Sequence, residues 1–458
     1  MSARSEANPT GDAANGGAPT RPLRFCHLSI FYPPYSFGGD AVYLYRLVNA
    51  QARRGHQVDV IHCADSYHAL EPRTPTKEFP NHRNVTVHTL RSGWGTLSPL
   101  LTQQTGGAWF KKNRILEVFL GKKFDVIHYH NISLLGPRAL ALRPDYDDFI
   151  KLYTTHEHWL VCPMHVLWKN NQRLCEKPDC FRCTLAFRRP PQWWRYTRLL
   201  ERCTRHVDAF VSPSQFTRQM HLDRGFVPAT VFERVPYFVP DLSGAEGPPQ
   251  EEASEPASQT PHPRPFFLFV GRLEKIKGLQ NLIPVFRNYP HADLLIAGAG
   301  NYESELRGLA AGMSNVVFLG ALQQAQLRAL YRHAIAVIVP SICYEVFGII
   351  ILEAYMQRTP VIVNDLGGLK EVVEESEGGF AYRSLPELIN AMERLRTDSR
   401  LRAEMGERGW RKYHERWNEE AHLAMYFHVL EETAMRKFGR VPWHAAARTS
   451  LRYTPAAP

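Results

Sequence analysis

The hydrophobic pattern of the chain alternates between two kinds of segment. Short runs of β-branched and aromatic residues are separated by stretches in which apolar positions recur at helical spacing. Most runs are apolar at consecutive positions, which is typical of parallel strands covered on both faces and predicts βαβ units with right-handed crossovers. The candidate strands are 24–30, 57–63, 85–90, 125–129, 151–155 and 209–212 in the first half, and 266–270, 293–297, 315–319, 336–340 and 360–364 in the second half.

The two groups of strands are separated by 243–265, a segment rich in Glu, Pro, Ser and Ala with almost no large apolar residues. Such a segment cannot form a core, so it predicts an acidic interdomain linker. We therefore expect an α/β protein with two Rossmann-like, doubly wound domains, 23–242 and 266–416, facing a central cleft. Ligands of open α/β sheets bind at the carboxyl ends of the strands, which places the predicted site in that cleft. The other predicted regions are a disordered tail at 1–22, an amphipathic helix at 417–440 and a second tail at 441–458.

The amino-acid composition indicates an ordinary globular protein but does not indicate its substrate. Of the 458 residues, 44% are hydrophobic and 22% are charged, as in ordinary globular domains. No apolar run reaches the roughly 18 residues of a membrane span, and the first 22 residues lack the apolar core of a secretory signal. We therefore expect a cytoplasmic protein. The net charge of +10 fits an anionic lipid, a nucleic acid or a small phosphorylated substrate, and fits ordinary solubility charge equally well.

Two cations follow the first strand of the second half. The segment 269–278 reads FVGRLEKIKG, so a glycine turn leads to Arg272 and Lys277. Arg272 offers a planar fork for phosphate oxygens, and Lys277 offers a compact point charge. A role in surface salt bridges would explain Arg272 and Lys277 as well as phosphate binding does.

A stronger signal lies in 340–356, which reads PSICYEVFGIIILEAYM and holds Glu345 and Glu353 eight positions apart. Glu353 falls in an otherwise apolar run that predicts a buried helix, and a buried carboxylate requires a partner. Ribose hydroxyls are one candidate partner, and a structural salt bridge is the other. Gly348 would let backbone amides approach an anion at the start of this helix.

Polar residues also follow the strands of the first half. Gly38 and Gly39 lie in the loop FYPPYSFGGD, directly after the first strand. His130 and His156 follow two later strands, in IHYHN and YTTHEHW. A histidine at the carboxyl end of a strand can hydrogen-bond sugar hydroxyls in the cleft, although structural roles for these histidines and glycines stay open.

Together these motifs resemble the retaining glycosyltransferase family 4 of the GT-B fold. The resemblance covers most of 24–440 and rests on the order GRLEKIKG, LLIAGAG, VVFLG, Glu345-x7-Glu353 and NDLGGLKEVV. It implies transfer of a sugar, with retention, from a nucleoside-diphosphate-sugar donor to a glycan or lipid-linked acceptor, as in the synthesis of cell-surface polysaccharide or glycolipid. It also implies that the 417–440 helix crosses back to the first domain. Val346 departs from the family, which more often has glycine there.

The resemblance implies a role for each candidate residue. Arg272 and Lys277 would hold the donor diphosphate, Glu353 would bind the ribose, and Glu345 would contact the transferred sugar. The resulting catalytic set is Glu345, His156, Arg272 and Lys277; the donor-binding set is Arg272, Lys277, Glu353, Gly39, Phe347, Gly348, Ile349 and His130. Fixed cations and helix-terminal amides can stabilise the charge on a leaving phosphate, so we expect catalysis to need no cofactor.

Four of the eight cysteines, Cys162, Cys175, Cys180 and Cys183, fall within 22 positions and end in a Cys-x-x-Cys. A disulfide framework is not expected in a cytosolic protein. The spacing predicts a structural zinc site in the loop 162–183. Reduced thiols and an iron–sulfur site are the alternatives that the spacing leaves open.

The segment 188–205, RRPPQWWRYTRLLERCTR, combines arginines with Trp193, Trp194 and Tyr196. Basic residues with interfacial aromatics suit an anionic bilayer surface, so we expect peripheral attachment to the inner face of the cytoplasmic membrane. Nucleic-acid binding and a helix that packs its aromatics inward are the alternatives. We expect no nucleic-acid partner.

Three other functions are alternatives to the transferase interpretation. A nucleotide-sugar epimerase of the same fold would need acid/base carboxylates in the cleft, and a phosphorylase would need a pyridoxal-phosphate lysine; no motif indicates either. A zinc-containing nucleic-acid or membrane adaptor would leave Arg272, Lys277, Glu345 and Glu353 without a role.

Overall fold

The structure is a computed structural model that describes residues 21–241 and 261–444. Within these ranges the chain forms two α/β domains, each built on one parallel sheet with helices on both faces. Most of the predicted N-terminal tail (1–20), most of the predicted linker (243–260) and most of the predicted C-terminal tail (445–458) lie outside the described residues.

The first domain contains a seven-stranded sheet of order β3-β2-β1-β4-β5-β8-β9, in which all neighbours are parallel. A separate two-stranded hairpin, β6–β7, lies in the segment that carries the cysteine cluster. The strands are β1 Arg24–Leu28, β2 Gln57–Cys63, β3 Val85–Leu90, β4 Val126–Tyr129, β5 Ile150–Thr154, β6 Trp168–Lys169, β7 Arg173–Leu174, β8 Ala209–Ser212 and β9 Val231–Arg234. The helices are α1 Gly39–Arg53, α2 Ala64–His68, α3 Leu97–Thr105, α4 Lys112–Gly121, α5 Cys180–Ala186, α6 Leu199–Thr204 and α7 Gln215–Asp223.

The second domain has a six-stranded parallel sheet of order β12-β11-β10-β13-β14-β15, whose strand order reverses beside β10. Its strands are β10 Phe266–Val270, β11 Asp293–Ala297, β12 Val316–Gly320, β13 Val337–Val339, β14 Val361–Asn364 and β15 Gly379–Tyr382. Its helices are α8 Leu279–Phe286, α9 Glu303–Leu309, α10 Gln324–His333, α11 Ile349–Met356, α12 Gly368–Ser376, α13 Leu385–Thr397 and α14 Ser399–Lys412, followed by a π-helical turn and α15 Glu419–Phe438.

Buried apolar side chains cover both faces of each sheet. One cluster extends across the domain interface, from Tyr43 of α1 through Tyr237 to Phe347 and Trp417. Separate clusters fill the far face of each sheet. Burial on both faces is the reason that the strands read as continuous apolar runs in the sequence.

Helix α15 follows the second domain in sequence but packs against the first. The hydroxyl of Tyr426 lies 3.0 Å from Nδ1 of His128, and Nε2 of His422 lies 3.1 Å from the hydroxyl of Tyr43. Near its carboxyl end, Lys437 forms an ion pair with Asp208 at 2.7 Å. The helix therefore joins the two domains through buried polar contacts as well as apolar packing.

A second set of contacts joins the domains beside β9. Arg234 forms an ion pair with Glu371 at 2.9 Å and a bidentate pair with Glu375, both on α12. Glu371 also accepts hydrogen bonds from two backbone amides at the start of α7. In addition, the hydroxyl of Ser214 donates to the carbonyl of Val346 at 2.6 Å. These bonds hold the carboxyl ends of the two sheets face to face.

Three features differ from the sequence prediction. Strands β9 and β15, at the edges of their sheets, were not predicted, nor was the β6–β7 hairpin. The segment 188–205 is not one helix, because Pro190 and Pro191 precede a short 3-10 turn and α6. Trp194 packs inward with its indole nitrogen on a carbonyl, whereas Trp193 and Tyr196 are exposed. Across the two described ranges, none of the helices has the length and apolar character needed to cross a membrane.

Candidate active site

The predicted site residues of the second domain meet at the carboxyl edge of its sheet. The loop after β10 carries Arg272 and Lys277, and the loop after the adjacent strand β13 carries Glu345. The Nζ of Lys277 lies 2.6 Å from Oε1 of Glu345, which also accepts a hydrogen bond from the hydroxyl of Ser341 at 2.7 Å. Residues that are 68 positions apart in the chain therefore form one hydrogen-bonded group.

Both members of this ion pair remain charged. Burial alone would raise the pKa of Glu345, but the attraction of Lys277 and the hydrogen bonds from Lys277 and Ser341 outweigh it, and the pKa lies below its usual value. Burial alone would lower the pKa of Lys277, but the attraction of Glu345 raises it. A lysine ammonium has three N–H donors and Glu345 takes one of them, so donors remain for a second anion.

Arg272 lies next to this pair and adds a second positive charge. It forms an ion pair with Glu274 at 2.8 Å, and 52% of its side chain is exposed. Its charge contributes to the lowered pKa of Glu345. The guanidinium has five donors, so the bond to Glu274 leaves most of the fork available to a ligand.

Gly278 allows the two loops to approach each other this closely. Its φ is +78°, and a Cβ at this position would lie 1.9 Å from the carbonyl oxygen of Pro340. Only glycine adopts this left-handed conformation without strain and without a side chain in the gap. The contact places the turn that carries Lys277 against the start of the loop that carries Glu345.

Helix α11 begins at Ile349, four residues after Glu345. Gly348 is its N-terminal cap residue, with a φ of +97°, and Phe347 is fully buried. A Cβ on Gly39 would lie 3.3 Å from Cδ1 of Ile349, so the glycine loop of the first domain reaches this helix terminus. The structure thus brings Gly39, Phe347, Gly348 and Ile349 together at a helix N-terminus that favours an anion.

Glu353 lies in the second turn of α11, and its carboxylate oxygens already have protein partners. Oε1 lies 3.0 Å from Nη2 of Arg46 on α1, and Oε2 accepts a hydrogen bond from the hydroxyl of Tyr331 at 3.1 Å. The partner that a buried carboxylate requires is therefore supplied by the protein itself. A ribose contact stays a prediction, and each carboxylate oxygen keeps a lone pair that a ribose hydroxyl would use.

His156 and His130 belong to a buried chain of hydrogen bonds that ends at Tyr237. The hydroxyl of Tyr237 lies 2.6 Å from Nδ1 of His156, and Nε2 of His156 lies 2.8 Å from Nδ1 of His130. The chain continues through His27 to Oε1 of Gln51, at 2.9 and 2.8 Å. Since the Gln51 oxygen can only accept, each neutral ring donates from Nε2 and accepts at Nδ1.

Burial lowers the pKa of both His130 and His156, so both rings are neutral near pH 7. His156 has no free ring nitrogen, because His130 and Tyr237 occupy both. The ring of Tyr237 packs against Phe347 with 5.5 Å between centroids, which links this chain to the start of α11. The predicted contact of His156 with the donor sugar stays a prediction and would require exchange of the Tyr237 hydroxyl.

One ring nitrogen from each of His27, His128 and His130 lies within 4.8 Å of the other two. This spacing alone would suit a metal ion. However, the ring nitrogens of all three residues are already engaged, since His128 is bonded to Tyr426 and Thr154. The cluster is therefore a hydrogen-bonded core of the first domain.

The four cysteines of the predicted zinc site lie in one region of the first domain: Cys162, Cys175 and Cys183 belong to one apolar cluster, and the charges of Cys175 and Cys183 act on Cys180. A tetrahedral zinc ion holds its sulfur ligands about 3.8 Å apart, but no three of the four clustered thiols in the described residues lie within 4.8 Å of one another. The sulfur of Cys183 instead accepts a hydrogen bond from the amide of Asn170, and that of Cys175 from Arg224. All eight cysteines are free thiols. The zinc assignment therefore stays a prediction.

Several residues of the site were not found by sequence reasoning. Ser341 binds Glu345, Tyr237 binds His156, and Arg46 binds Glu353. Asp40, at the start of α1, accepts a hydrogen bond from Asn131, and its charge opposes the lowering of the His156 pKa. Only Asp40 had a visible signal, a carboxylate directly after the glycine pair. The other contacts join distant parts of the chain.

Two family models match the chain. Residues 37–241 match the model described as Glycosyltransferase Family 4, and residues 250–412 match the model described as Glycosyl transferases group 1. An uncharacterized glycosyltransferase of Methanocaldococcus jannaschii is 40% identical over 129 residues, which cover 27% of this chain and 33% of that protein. The chain thus spans about a third of the length of this curated relative.

Solved structures match over nearly the whole chain. Sucrose-phosphate synthase from Thermosynechococcus elongatus has a TM-score of 0.65 at 21% identity, covering 90% of this chain and 99% of that one. The Anabaena protein HepE, solved with UDP and with UDP-glucose, has a TM-score of 0.59 at 16% identity, covering 90% and 100%. The predicted fold class, two Rossmann-like domains facing a central cleft in the GT-B arrangement, is confirmed.

Proposed function

We propose that this chain, a member of the GT-B glycosyltransferase superfamily, transfers a sugar from a nucleoside-diphosphate-sugar donor to a glycan or lipid-linked acceptor, with retention of configuration. One observation carries the proposal. Lys277, Glu345 and the first turn of α11 meet at the carboxyl edge of the second sheet, where a diphosphate and the sugar attached to it would fit. The UDP and UDP-glucose complexes of HepE support a nucleotide donor for a protein of this fold.

In the proposed reaction the bond between the anomeric carbon and the β-phosphate oxygen breaks, and negative charge develops on the diphosphate. Lys277, Arg272 and the amides around Phe347–Ile349 would stabilise that charge. Because these groups are already held in place, they need no rearrangement as the charge develops. No cofactor is part of this proposal.

The acceptor hydroxyl would attack the anomeric carbon from the face that the phosphate leaves. Its proton would pass to the departing phosphate oxygen, so no separate carboxylate nucleophile is needed. The ionised Glu345 would accept hydrogen bonds from hydroxyls of the transferred sugar. Ribose hydroxyls would donate to the remaining lone pairs of Glu353, beside Tyr331 and Arg46, and the sugar would replace the Tyr237 hydroxyl at His156.

The test is a panel of UDP-, GDP-, ADP- and TDP-sugars, followed by nucleotide release and thermal shift. We expect one base to raise the melting temperature and support turnover, with the anomeric signal of the product matching that of the donor by NMR. Folded protein that binds no nucleotide sugar contradicts the proposal.

A matched pair of variants tests the proposed diphosphate clamp, by which we mean Arg272 and Lys277. Lys277→Ala should abolish turnover because it removes the cation from the ion pair with Glu345. Lys275→Ala removes an exposed lysine from the same 3-10 turn and should leave turnover unchanged. Equal activity of the two variants would remove Lys277 from the mechanism.

A further inference from the structure

A cavity of about 700 Å³ opens in the first domain, and none of the predicted donor-site residues lines it. Its wall is formed by the segment after β5, by the turn and helix of 192–205, and by the loop between α7 and β9. The donor diphosphate has its predicted place at Lys277, in the other domain. A ligand in this cavity would therefore be a second molecule.

The charged residues that line the cavity are four arginines and one glutamate: Arg195, Arg198, Arg205, Arg224 and Glu201. Glu201 is already used, because it forms an ion pair with Arg205 at 2.6 Å. Within the described ranges no carboxylate pairs with the other three arginines. With four arginines and one glutamate, the lining carries an excess of positive charge, and a concave site with such an excess attracts an anion.

Arg195 is the most informative of these arginines. Its guanidinium stacks on Trp159 and Trp194, with 5.3 and 4.6 Å to the ring centroids. Nη2 donates to the carbonyl of Trp159 at 2.6 Å and Nε donates to Gln192, which leaves Nη1 without a partner in the described part of the chain. Burial lowers the pKa of Arg195 to about 10, so it stays charged near pH 7. The charge of Glu157 acts on Arg195 but no carboxylate forms an ion pair with it in the described residues, and a half-buried cation in this state suits an anionic ligand.

Part of the remaining wall is apolar, beside threonines and Gln192. Leu160, Pro163 and Phe226 line the cavity beside the arginines. At its edge, Trp193 and Tyr196 expose 59% of their surface each and lie 6.3 Å apart between ring centroids. A purely polar anion would leave these surfaces uncovered, whereas a hydrocarbon chain attached to the anion would cover them.

The cavity wall also connects, through Arg224 and Cys175, to the loop that carries Glu345. Arg224 donates to the carbonyl and the sulfur of Cys175. The apolar cluster that contains Cys175 packs against Tyr344, the residue before Glu345. A ligand bound by Arg224 would therefore lie near the wall between this cavity and the predicted donor site.

We propose that this cavity binds the phosphate head of an amphiphilic ligand, with Arg195, Arg198 and Arg224 on the phosphate and the adjoining apolar surface on its hydrocarbon chain. A phosphate monoester carries up to two negative charges near pH 7, whereas a carboxylate ligand carries one. The phosphate therefore matches several guanidinium groups that lack a carboxylate partner better than a carboxylate ligand would. The further step, that this ligand is the acceptor, rests on the proposed function. The binding site itself does not.

The test measures binding to the full chain by calorimetry without any nucleotide sugar. The probes are octyl phosphate, inorganic phosphate and octyl glucoside, which separate head plus chain, head alone and chain alone. We expect octyl phosphate to bind at least about tenfold more tightly than either of the others. Arg198→Gln and Arg195→Gln should each weaken it about tenfold or more, because each removes a charge-assisted hydrogen bond.

Arg202→Gln is the matched control, since Arg202 is exposed on α6 and does not line the cavity. It should bind octyl phosphate as the unaltered protein does. Arg198 is exposed, so its variant tests the site even if Arg195→Gln does not fold. Equal affinity for octyl phosphate and inorganic phosphate would refute the proposal that the ligand has a hydrocarbon chain. Equal affinity of the Arg198 and Arg202 variants for octyl phosphate would refute the proposal that the ligand binds in this cavity. Neither result bears on donor binding, which the nucleotide-sugar panel measures separately.

Discussion

Replacing Gly278 with alanine tests whether the close approach of two loops builds the site. A Cβ at this position would lie 1.9 Å from the carbonyl oxygen of Pro340, and the φ of Gly278 is +78°. The opposing atom belongs to the backbone just after β13, so it cannot rotate away. Alanine should therefore push the two loops apart and separate Lys277 from Glu345.

The magnitude follows from two contributions. The left-handed conformation costs alanine about 1–2 kcal/mol, and overpacking against a fixed backbone adds about 1–3 kcal/mol or more. Gly312 provides a control, because it has a φ of +77° but no atom within 4 Å of an added Cβ. Since each kcal/mol lowers Tm by about 2–4 °C for a domain of this size, we expect Gly312→Ala to lower Tm by about 2–8 °C. Gly278→Ala should lower it about twice as far or more.

The assay combines thermal unfolding of the full chain with calorimetric titration of UDP and GDP below both transitions. Gly278→Ala should lose most of its nucleotide affinity, whereas Gly312→Ala should keep it. Equal shifts in Tm with intact nucleotide binding in both variants would refute the reasoning, because the contact with Pro340 would then be irrelevant to the site.

Three further predictions concern charge and thiol chemistry. Because the folded-state pKa of Glu345 lies below its unfolded value of about 4.3, its contribution to stability is present above that pH and is lost as the pH falls through the folded pKa. Glu345→Gln should therefore flatten the fall of the urea midpoint between about pH 5 and pH 3, and an unchanged slope would contradict this. Arg234→Ala leaves the carboxylate of Glu375 unpaired at the domain interface and should lower the free energy of unfolding by about 2–4 kcal/mol. Arg114→Ala, which breaks an exposed pair within α4, should change it by less than about 0.5 kcal/mol; equal losses would contradict the interface role. Cys180 is the one cysteine of the eight that is not buried, so a thiol reagent should modify it first, faster as the pH rises, and Cys180→Ser should remove this phase. One equivalent of tightly bound zinc that is lost in Cys180→Ser would instead restore the zinc prediction.

The strands were predictable because both sheets are buried on both faces. The predicted bounds of 57–63, 85–90, 209–212, 266–270 and 293–297 coincide with those of the structure. β-Branched and aromatic side chains predominate in these runs, and four of the five strands are almost wholly buried; the edge strand β3 is mostly exposed but still has Val and Thr at four of its six positions. By contrast, Gly379–Tyr382 reads GFAY, which has no β-branched residue, and the strand forms because β14 supplies its hydrogen-bonding partner.

The loops at the cleft were predictable in position but not in their contacts. Strand ends place Lys277 and Glu345 at one edge of a sheet, and a parallel sheet brings those ends together. No sequence pattern reveals that Arg46, 307 positions before Glu353, supplies its counter-charge. That contact depends on how the two domains pack.

The cysteine cluster shows the limit of spacing as a signal. Cys180 and Cys183 lie on one short helix, and Cys175 lies beyond the β6–β7 hairpin. Spacing along the chain does not determine where each sulfur points. The sulfurs of Cys175 and Cys183 take hydrogen bonds from Arg224 and a backbone amide, which the spacing could not indicate.

The most direct test of the diphosphate clamp compares the affinities of a nucleoside diphosphate and the corresponding monophosphate. If Lys277 holds the β-phosphate beside Glu345, the diphosphate should bind at least about tenfold more tightly than the monophosphate to the unaltered protein and to Lys275→Ala. In Lys277→Ala that preference should largely disappear while the affinity for the monophosphate stays the same. A preference that survives in Lys277→Ala, or an unaltered protein that shows none, would contradict the clamp.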